Sequence, residues 1–546
     1  MPRLGRLALL ALPLLLLAVA LRLLGALLRP VWVDEAATAI FSSGNSSWST
    51  AINQLLPLEG FVRALRLTGP DQLGAALTHL HSQDNHPPLH FALAFATAQL
   101  LQHPGEVIRP LTARLPAVLL GSLAVPLIDR AVLCASGQHR AARLAGLAMA
   151  LSPLMVAMGL EARHYALATT LVCAALWALA AAWQLQQQDR PMPLGLAAGW
   201  VVANALGMLC HHLFVLSIAA QVITLLLLGS WPARRMQWGW RWSWPSLLSL
   251  LLAGLWLLHN GSGAAAQQTA WLDLDPSQPL QWLAMPLQML ITALTAALAP
   301  GTTLMANWQW PFVVLAGAAT LVGLISLVRV LGRADRAPAL LQVFCLSSMA
   351  LLLLASAVSG KDFSRALRYG FVYGPAVLAL LGSAAATAES HGRRQSVRVL
   401  LVCSLVCSLG VSAGVALPAS YNPALMLAKI NRESRAPVVL AFNDRPVPNG
   451  QPLIGYEGLS IAWHLQTARH PNLQRQGREP LLMLLINDGD NRPLGLQQLE
   501  RWPGPFDLWI INAHGIRRDL SIDRGDCRHL GYASAGGHLH HHYRCG

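Results

Sequence analysis

The sequence predicts an all-α polytopic membrane domain of about 11–13 transmembrane helices, followed by a small C-terminal α/β domain outside the membrane. Three observations predict it. Of 546 residues, 54% are hydrophobic and 12% charged, where a soluble globular chain carries about 25% charged residues. Long apolar runs recur from the N-terminus to residue 417, broken by short arginine-bearing segments. From residue 422 the runs shorten to strand length and are separated by polar stretches of helical character.

The first run, 7–28, is long enough for a bilayer core, which roughly 20 apolar residues span. Arg3 and Arg6 precede it as in a signal sequence. It outlasts a signal h-region and no small-x-small cleavage site closes it, so it reads as an uncleaved anchor with its N-terminus inside. Further spans are expected at 111–129, 144–160, 165–185, 193–210, 213–230, 244–258, 309–328, 338–357, 371–388 and 399–417, while 88–103 and 281–300 are ambiguous. Arginine clusters at Arg130/Arg140/Arg143, Arg234/Arg235/Arg241, Arg329/Arg333/Arg336 and Arg393/Arg394/Arg398 mark cytoplasmic loops. With all four inside, the parity works when the ambiguous runs make no net crossing. That places 29–86, 161–164, the His211-His212 turn, 259–280, 359–370 and the tail after 418 outside. The polar motifs gather on that face.

Two domains follow: a membrane domain over 1–420, with 29–86 as its first outer loop, and a soluble α/β domain over 421–546. Strand-like runs at 437–442, 481–486 and 507–512 support the second. The formal net charge of +14 does not indicate nucleic acid. The arginines lie between apolar runs, and neither a basic helix with interleaved aromatics nor a zinc-finger spacing occurs; positive-inside topology and anionic lipid explain the excess. Six of eight cysteines fall in or beside apolar segments as packing residues. Cys527 and Cys545 lie in the polar tail, where an oxidising compartment would allow a disulfide; two free thiols are the alternative. The histidine-rich ending, 538–545, lacks a spaced acid or cysteine set to complete a metal site.

The polar motifs suggest chemistry at the outer surface. Asp34-Glu35 follows the first apolar run, at the level of lipid head groups, where carboxylates are costly unless they bind or react. Asp84-Asn85-His86-Pro87-Pro88-Leu89 comes fifty residues later. Its prolines forbid a helix interior there, holding Asp84 and His86 beside the next apolar run. Such a pair could accept a proton, orient a base or hold a metal, or it is only a solvated turn. Glu161-Ala-Arg163-His164-Tyr165 sits where two helices meet, as substrate contacts or as a capping ion pair. Lys361-Asp362-Phe363 is followed by Arg365, Arg368 and Tyr369. Arginine's planar fork of donors suits phosphate, so Arg368 reads as a lipid-phosphate contact or as a snorkelling anchor.

Taken in order, W-V-D-E-A, D-N-H-P-P-L, R-L-P-A-V-L-L-G-S-L-A-V-P-L (114–127), L-S-P-…-E-A-R-H-Y-A-L (151–167) and R-Y-G-F-V-Y-G-P-A (368–376) resemble the GT-C glycosyltransferases. The types matched are the dolichyl-phosphate-mannose–protein mannosyltransferases and the aminoarabinose–lipid A transferases, over about residues 1–420. The resemblance implies a multi-helix enzyme with a polyprenyl-phosphate sugar donor and an active site on the outer side of the membrane. It implies Asp34, with Glu35 beside it, as the catalytic carboxylate. It also implies Asp84 and His86 in the same site with Glu161 facing them, and His212 from an H-L-F turn standing where H-Y-F is usual. The tail after 420 matches no motif of the family.

The expected mechanism is inverting transfer. Asp34 would deprotonate an acceptor hydroxyl as it attacks the anomeric carbon, while Arg368, with Arg163 as second candidate, stabilises the leaving phosphate. Glu35, Asp84, His86 and Glu161 would position substrate, or hold a divalent cation if one is used: magnesium or manganese on carboxylates, zinc where histidine joins. The expected partners are the bilayer, the polyprenyl-phosphate sugar and a lipid, glycan or protein acceptor. A lipid or sugar transporter is the alternative, but its ionisable groups would sit at the midplane of repeated halves, and here they cluster at one face. The leucine- and alanine-rich composition and the absence of organelle retention signals favour a bacterial inner membrane, with the active site and tail periplasmic.

Overall fold

The structure, a computed structural model, describes residues 2–46, 54–84, 86–229, 236–260, 269–275, 277–278, 280–303, 307–332, 337–417, 421–444, 456–467, 480–486, 499, 504–512 and 526–546. Asn85, Arg234, Arg235, Arg333 and Arg336 of the sequence motifs lie outside these residues. The chain forms two compact units: Met1–Arg29, Asp84–His90 and Arg114–Leu417 make the first, and Pro30–Gln83, Phe91–Ala113 and Pro418–Gly546 the second.

The first unit is helical, and every apolar run expected to span falls on a helix or helix pair. Among the described residues, Pro110–Ser136, Tyr165–Gln187, Trp310–Leu331, Ala339–Ser359 and Arg394–Ser412 are each long and apolar enough to cross a membrane, and His139–Leu151 with Pro153–Leu160 qualifies as a pair bent by 52°. The chain is an integral membrane protein. The ambiguous runs form shorter apolar helices, Leu89–Leu101 and Leu280–Thr295. At 1.5 Å per residue these reach only about 20 and 24 Å, short of the roughly 30 Å hydrocarbon core.

Local chemistry sets the boundaries that matter for the site. Ser152 caps Pro153–Leu160 by accepting from the Met155 amide at 3.3 Å, and Pro153 occupies the first helical position, where a missing N–H costs nothing. Gly360 ends Ala339–Ser359 in the left-handed region at φ 68°, a conformation that glycine adopts without a Cβ penalty. Close helix packing relies on small residues: a Cβ on Gly382 would lie 2.4 Å from the Ala145 backbone nitrogen. Three buried polar side chains pair with one another. Gln221 and Asn204 exchange amide hydrogen bonds at 3.0 and 3.1 Å, and Trp200 Nε1 donates to Gln221 at 2.6 Å.

The second unit is built on a six-stranded sheet of β1 (Leu56–Pro57), β2 (Val438–Asp444), β3 (Leu481–Ile486), β4 (Phe506–Ile511), β5 (Cys527–Ala535) and β6 (His538–Cys545). The order is β1-β3-β2-β4-β6-β5, with β3, β2 and β4 parallel and the remaining pairs antiparallel. The three strand-like runs of the tail are β2, β3 and β4. The two-residue β1 comes from the first outer loop, a pairing with the far end of the chain that the sequence did not suggest. Trp463, on helix Tyr456–Thr467, donates from Nε1 to the Ile108 carbonyl at 2.8 Å, so residues 91–113 are also tied to the tail.

The histidine-rich ending is β6 itself. His538, His540, His541 and His542 are buried. On its edge toward β4, the fully buried Asp507 accepts from the Arg435 and Ala436 amides at 2.6 and 2.8 Å, from His542 Nε2 at 3.0 Å and from Arg544 Nε at 2.9 Å. Burial raises the Asp507 pKa, but these donors more than offset it and hold the carboxyl below its ordinary value. A disulfide joins Cys527 and Cys545 across β5 and β6.

Candidate active site

The first unit brings together the D-x-H-P-P segment, the E-A-R-H-Y turn, the histidine turn and the loop before Gly374–Ser390. Pro87 and Pro88 keep the chain out of a helix until Leu89, whose amide donates to the Leu209 carbonyl at 2.9 Å and so ties this segment to the histidine turn. Asp84 is buried. Its Oδ1 accepts from the His86 amide at 3.1 Å and from His86 Nδ1. On the other side of that ring, Arg163 NH2 lies 3.2 Å from His86 Nε2. A guanidinium only donates, so Nε2 accepts and the ring proton sits on Nδ1. Asp84, His86 and Arg163 thus form one hydrogen-bonded chain. Burial raises the Asp84 pKa, but His86 and then Arg163 overcome that and keep it below its ordinary value.

Histidine and tyrosine rings surround this chain. The His164 ring centroid lies 4.8 Å from His86, 4.9 Å from His211 and 4.2 Å from Tyr165. Tyr369 stands 5.7 Å from His211 and 6.2 Å from Tyr165. The Arg163 and Arg368 guanidinium carbons lie 5.8 and 5.6 Å from the Tyr165 ring centroid, within cation–π range. Burial, the neighbouring histidines and Arg163 push the pKa values of His164 and His211 well below 6.5; Arg368 adds to this at His211. Both rings are therefore neutral at pH 7, and the fixed positive charge of the cluster belongs to the two arginines.

Glu161 lies at the end of Pro153–Leu160, with a carboxylate oxygen 3.9 Å from Arg29 NH1. Arg29 also donates to the Leu417 carbonyl at 3.1 Å, and Arg114 braces the same end of the first helix through the Ala26 and Arg29 carbonyls at 2.7 and 2.9 Å. At the histidine turn, the ring packed into the cluster is His211, whose Nδ1 accepts from the Leu213 amide at 3.0 Å. His212, the residue singled out from the sequence, is its half-buried neighbour. His164, Tyr165 and His211 were not among the expected site residues. The motifs contained all three, but nothing local marks which ring of a polar turn faces inward.

Asp34 and Glu35 belong to the second unit, in the first turn of helix Val33–Ser42, where carboxylates complement the helix dipole. The two differ sharply. Glu35 is 1% exposed and its Oε2 accepts from the Trp32 amide at 3.2 Å, folding back over its own helix start as the acidic member of a capping box does. Asp34 is half-buried.

The candidate cation ligands do not form a ligand set. Glu35 reaches the Trp32 amide, Asp84 reaches His86, and Glu161 faces Arg29. Among the described residues no group of three or more His, Cys, Asp and Glu side chains is placed to hold a metal ion.

No protein-family model and no curated protein matches the chain. Solved structures similar to it include ArnT from Cupriavidus metallidurans bound to undecaprenyl phosphate, at 12% identity and TM-score 0.46 over 99% of this chain and 98% of that one. The same protein in the apo state matches at 14% identity and TM-score 0.38 over the same shares. The oligosaccharyltransferase AglB from Archaeoglobus fulgidus, in complex with an inhibitory peptide and a dolichol-phosphate, matches at 12% identity and TM-score 0.40 over 85% of this chain and 60% of that one.

Proposed function

We propose that this protein is a membrane glycosyltransferase that transfers a sugar from a polyprenyl-phosphate donor to a lipid, glycan or protein acceptor on the outer face of a bacterial inner membrane. The observation that carries the proposal is the convergence of Arg163 and Arg368 on the Tyr165 ring, among histidines held neutral. Two guanidiniums on loops at helix ends are a receptor for a phosphate at the membrane surface. The ordered motifs of the sequence supply the rest of the reading. The Cys527–Cys545 disulfide supports a tail in an oxidising compartment, here the periplasm.

In the proposed reaction Asp34 removes the proton from an acceptor hydroxyl, whose oxygen attacks the anomeric carbon. The bond from that carbon to the phosphate oxygen breaks with inversion. The electron pair leaves with the lipid phosphate, whose charge Arg368 and Arg163 stabilise. Asp84 orients His86, which accepts from Arg163 and fixes the direction of its guanidinium.

The test is transfer in proteoliposomes supplied with radiolabelled undecaprenyl-phosphate hexoses. Asp34→Asn should lower turnover by about 10²–10⁴-fold, the range of a lost general base, without loss of the folded protein. Near-normal turnover would refute the role of Asp34. Labelled lipid changing leaflet with no donor consumed would establish a transporter instead.

A further inference from the structure

Residues 269–275 form a short strap laid along the loop that carries Arg368. Leu274 donates from its amide to the Gly360 carbonyl at 2.9 Å, and Asp362 returns a bond to the Leu272 carbonyl at 2.7 Å. Lys361 Nζ pairs with the Asp273 carboxylate and reaches the Thr269 carbonyl at 3.4 Å. Arg365 NH1 donates to the Trp271 carbonyl at 2.9 Å, and Leu272 is fully buried. This is a dense set of bonds for so short a segment. Its consequence is to place the Trp271 ring centroid 5.5 Å from the Arg368 guanidinium carbon, which Tyr165 approaches at 5.6 Å.

We propose that Trp271 is a positioning residue for Arg368, held by the strap so that its ring contact limits where the guanidinium can point toward a lipid phosphate. This role rests on the lipid-phosphate reading given above. Trp271 and Tyr165 each approach the Arg368 guanidinium within cation–π range, so the two rings limit where it can point. The two rings are not equivalent: Tyr165 is 2% exposed and Trp271 46% exposed. Trp271 is thus the ring a substitution can change with less loss of buried packing than Tyr165. The aromatic ring, not the indole N–H, carries the role.

The experiment measures binding of undecaprenyl phosphate to the purified full-length protein in detergent, for wild type, Trp271→Ala, Trp271→Phe, Asp273→Asn and Arg368→Ala, with the thermal transition of each. Trp271→Ala should weaken binding about 3- to 30-fold, the size of one cation–π contact, and Trp271→Phe should recover most of that. Asp273→Asn, which loosens the strap at an exposed position, should give a smaller loss of the same kind. In transfer assays the Trp271→Ala defect should appear in kcat/KM for the donor and be largely restored in Trp271→Phe, since Arg368 acts on the leaving phosphate. Normal binding by Trp271→Ala with weakened Arg368→Ala overturns the role of Trp271 and leaves the phosphate site standing. A Trp271→Phe variant as weak as Trp271→Ala also overturns it. Normal binding by Arg368→Ala overturns both readings together.

Discussion

Glu35 and Asp34 are neighbours in sequence with opposite environments, and the difference is testable. Glu35 holds the Trp32 amide at the start of its helix. Glu35→Gln keeps an acceptor there and should retain transfer, while Glu35→Ala should cost about 1 kcal/mol of stability, the usual worth of a helix cap. Loss of transfer in Glu35→Gln with unchanged stability would give Glu35 a chemical role. The histidines make a second prediction. His164 and His211 have folded-state pKa values far below 6.5, first because they are buried and then because like charges surround them. The unfolded chain, with ordinary histidines, binds protons that the folded chain refuses. Stability from these groups is therefore full above the unfolded pKa of about 6.5 and falls as pH drops below it. Thermal melting should move down between pH 7 and 5, and His164→Leu should blunt that dependence. An unchanged dependence in His164→Leu would remove His164 as its source.

At the scale of elements, the helix Pro153–Leu160 delivers the E-A-R-H-Y turn, so its start matters to the site. Ser152→Ala removes the side-chain bond to the Met155 amide and should lower stability by about 1 kcal/mol in a denaturation series. An effect below a few tenths would show that Pro153 alone sets this boundary. The helices themselves were legible because apolar length and flanking arginines are local signals, read without knowing any neighbour. The strands at 438–444, 481–486 and 506–511 were legible for the same reason. β1 was not. Leu56–Pro57 carries no alternation long enough to read and is a strand only because β3 offers it an edge. The ending of the chain was half legible. Its histidines lacked the acid or cysteine set of a metal site, and they line a buried strand whose polar groups meet Asp507, Glu457 and His529 of β5.

On the scale of the whole molecule, both units are discontinuous in sequence: Pro30–Gln83 and Phe91–Ala113 group with the tail, while Asp84–His90 groups with the helices. The disulfide closes β5 onto β6 at the end of the chain. By the chain-entropy relation for a loop of its size it should stabilise the sheet by about 3 kcal/mol. Reductant, or Cys527→Ser with Cys545→Ser, should accelerate proteolysis of the tail while leaving the membrane helices protected. Equal protection with and without reductant would show that the sheet stands without it.

The sequence by itself determined that the chain lives in a membrane, where its helices run, and which polar motifs stand in order between them. Each of these follows from run length, charge and residue type within a few turns of chain. Only the tertiary structure decided that His211 packs against His164 and that Trp271 comes to lie beside Arg368. Those outcomes depend on which loops are brought together by helices distant in sequence. Burial and hydrogen-bond satisfaction then sort chemically equivalent side chains into different roles.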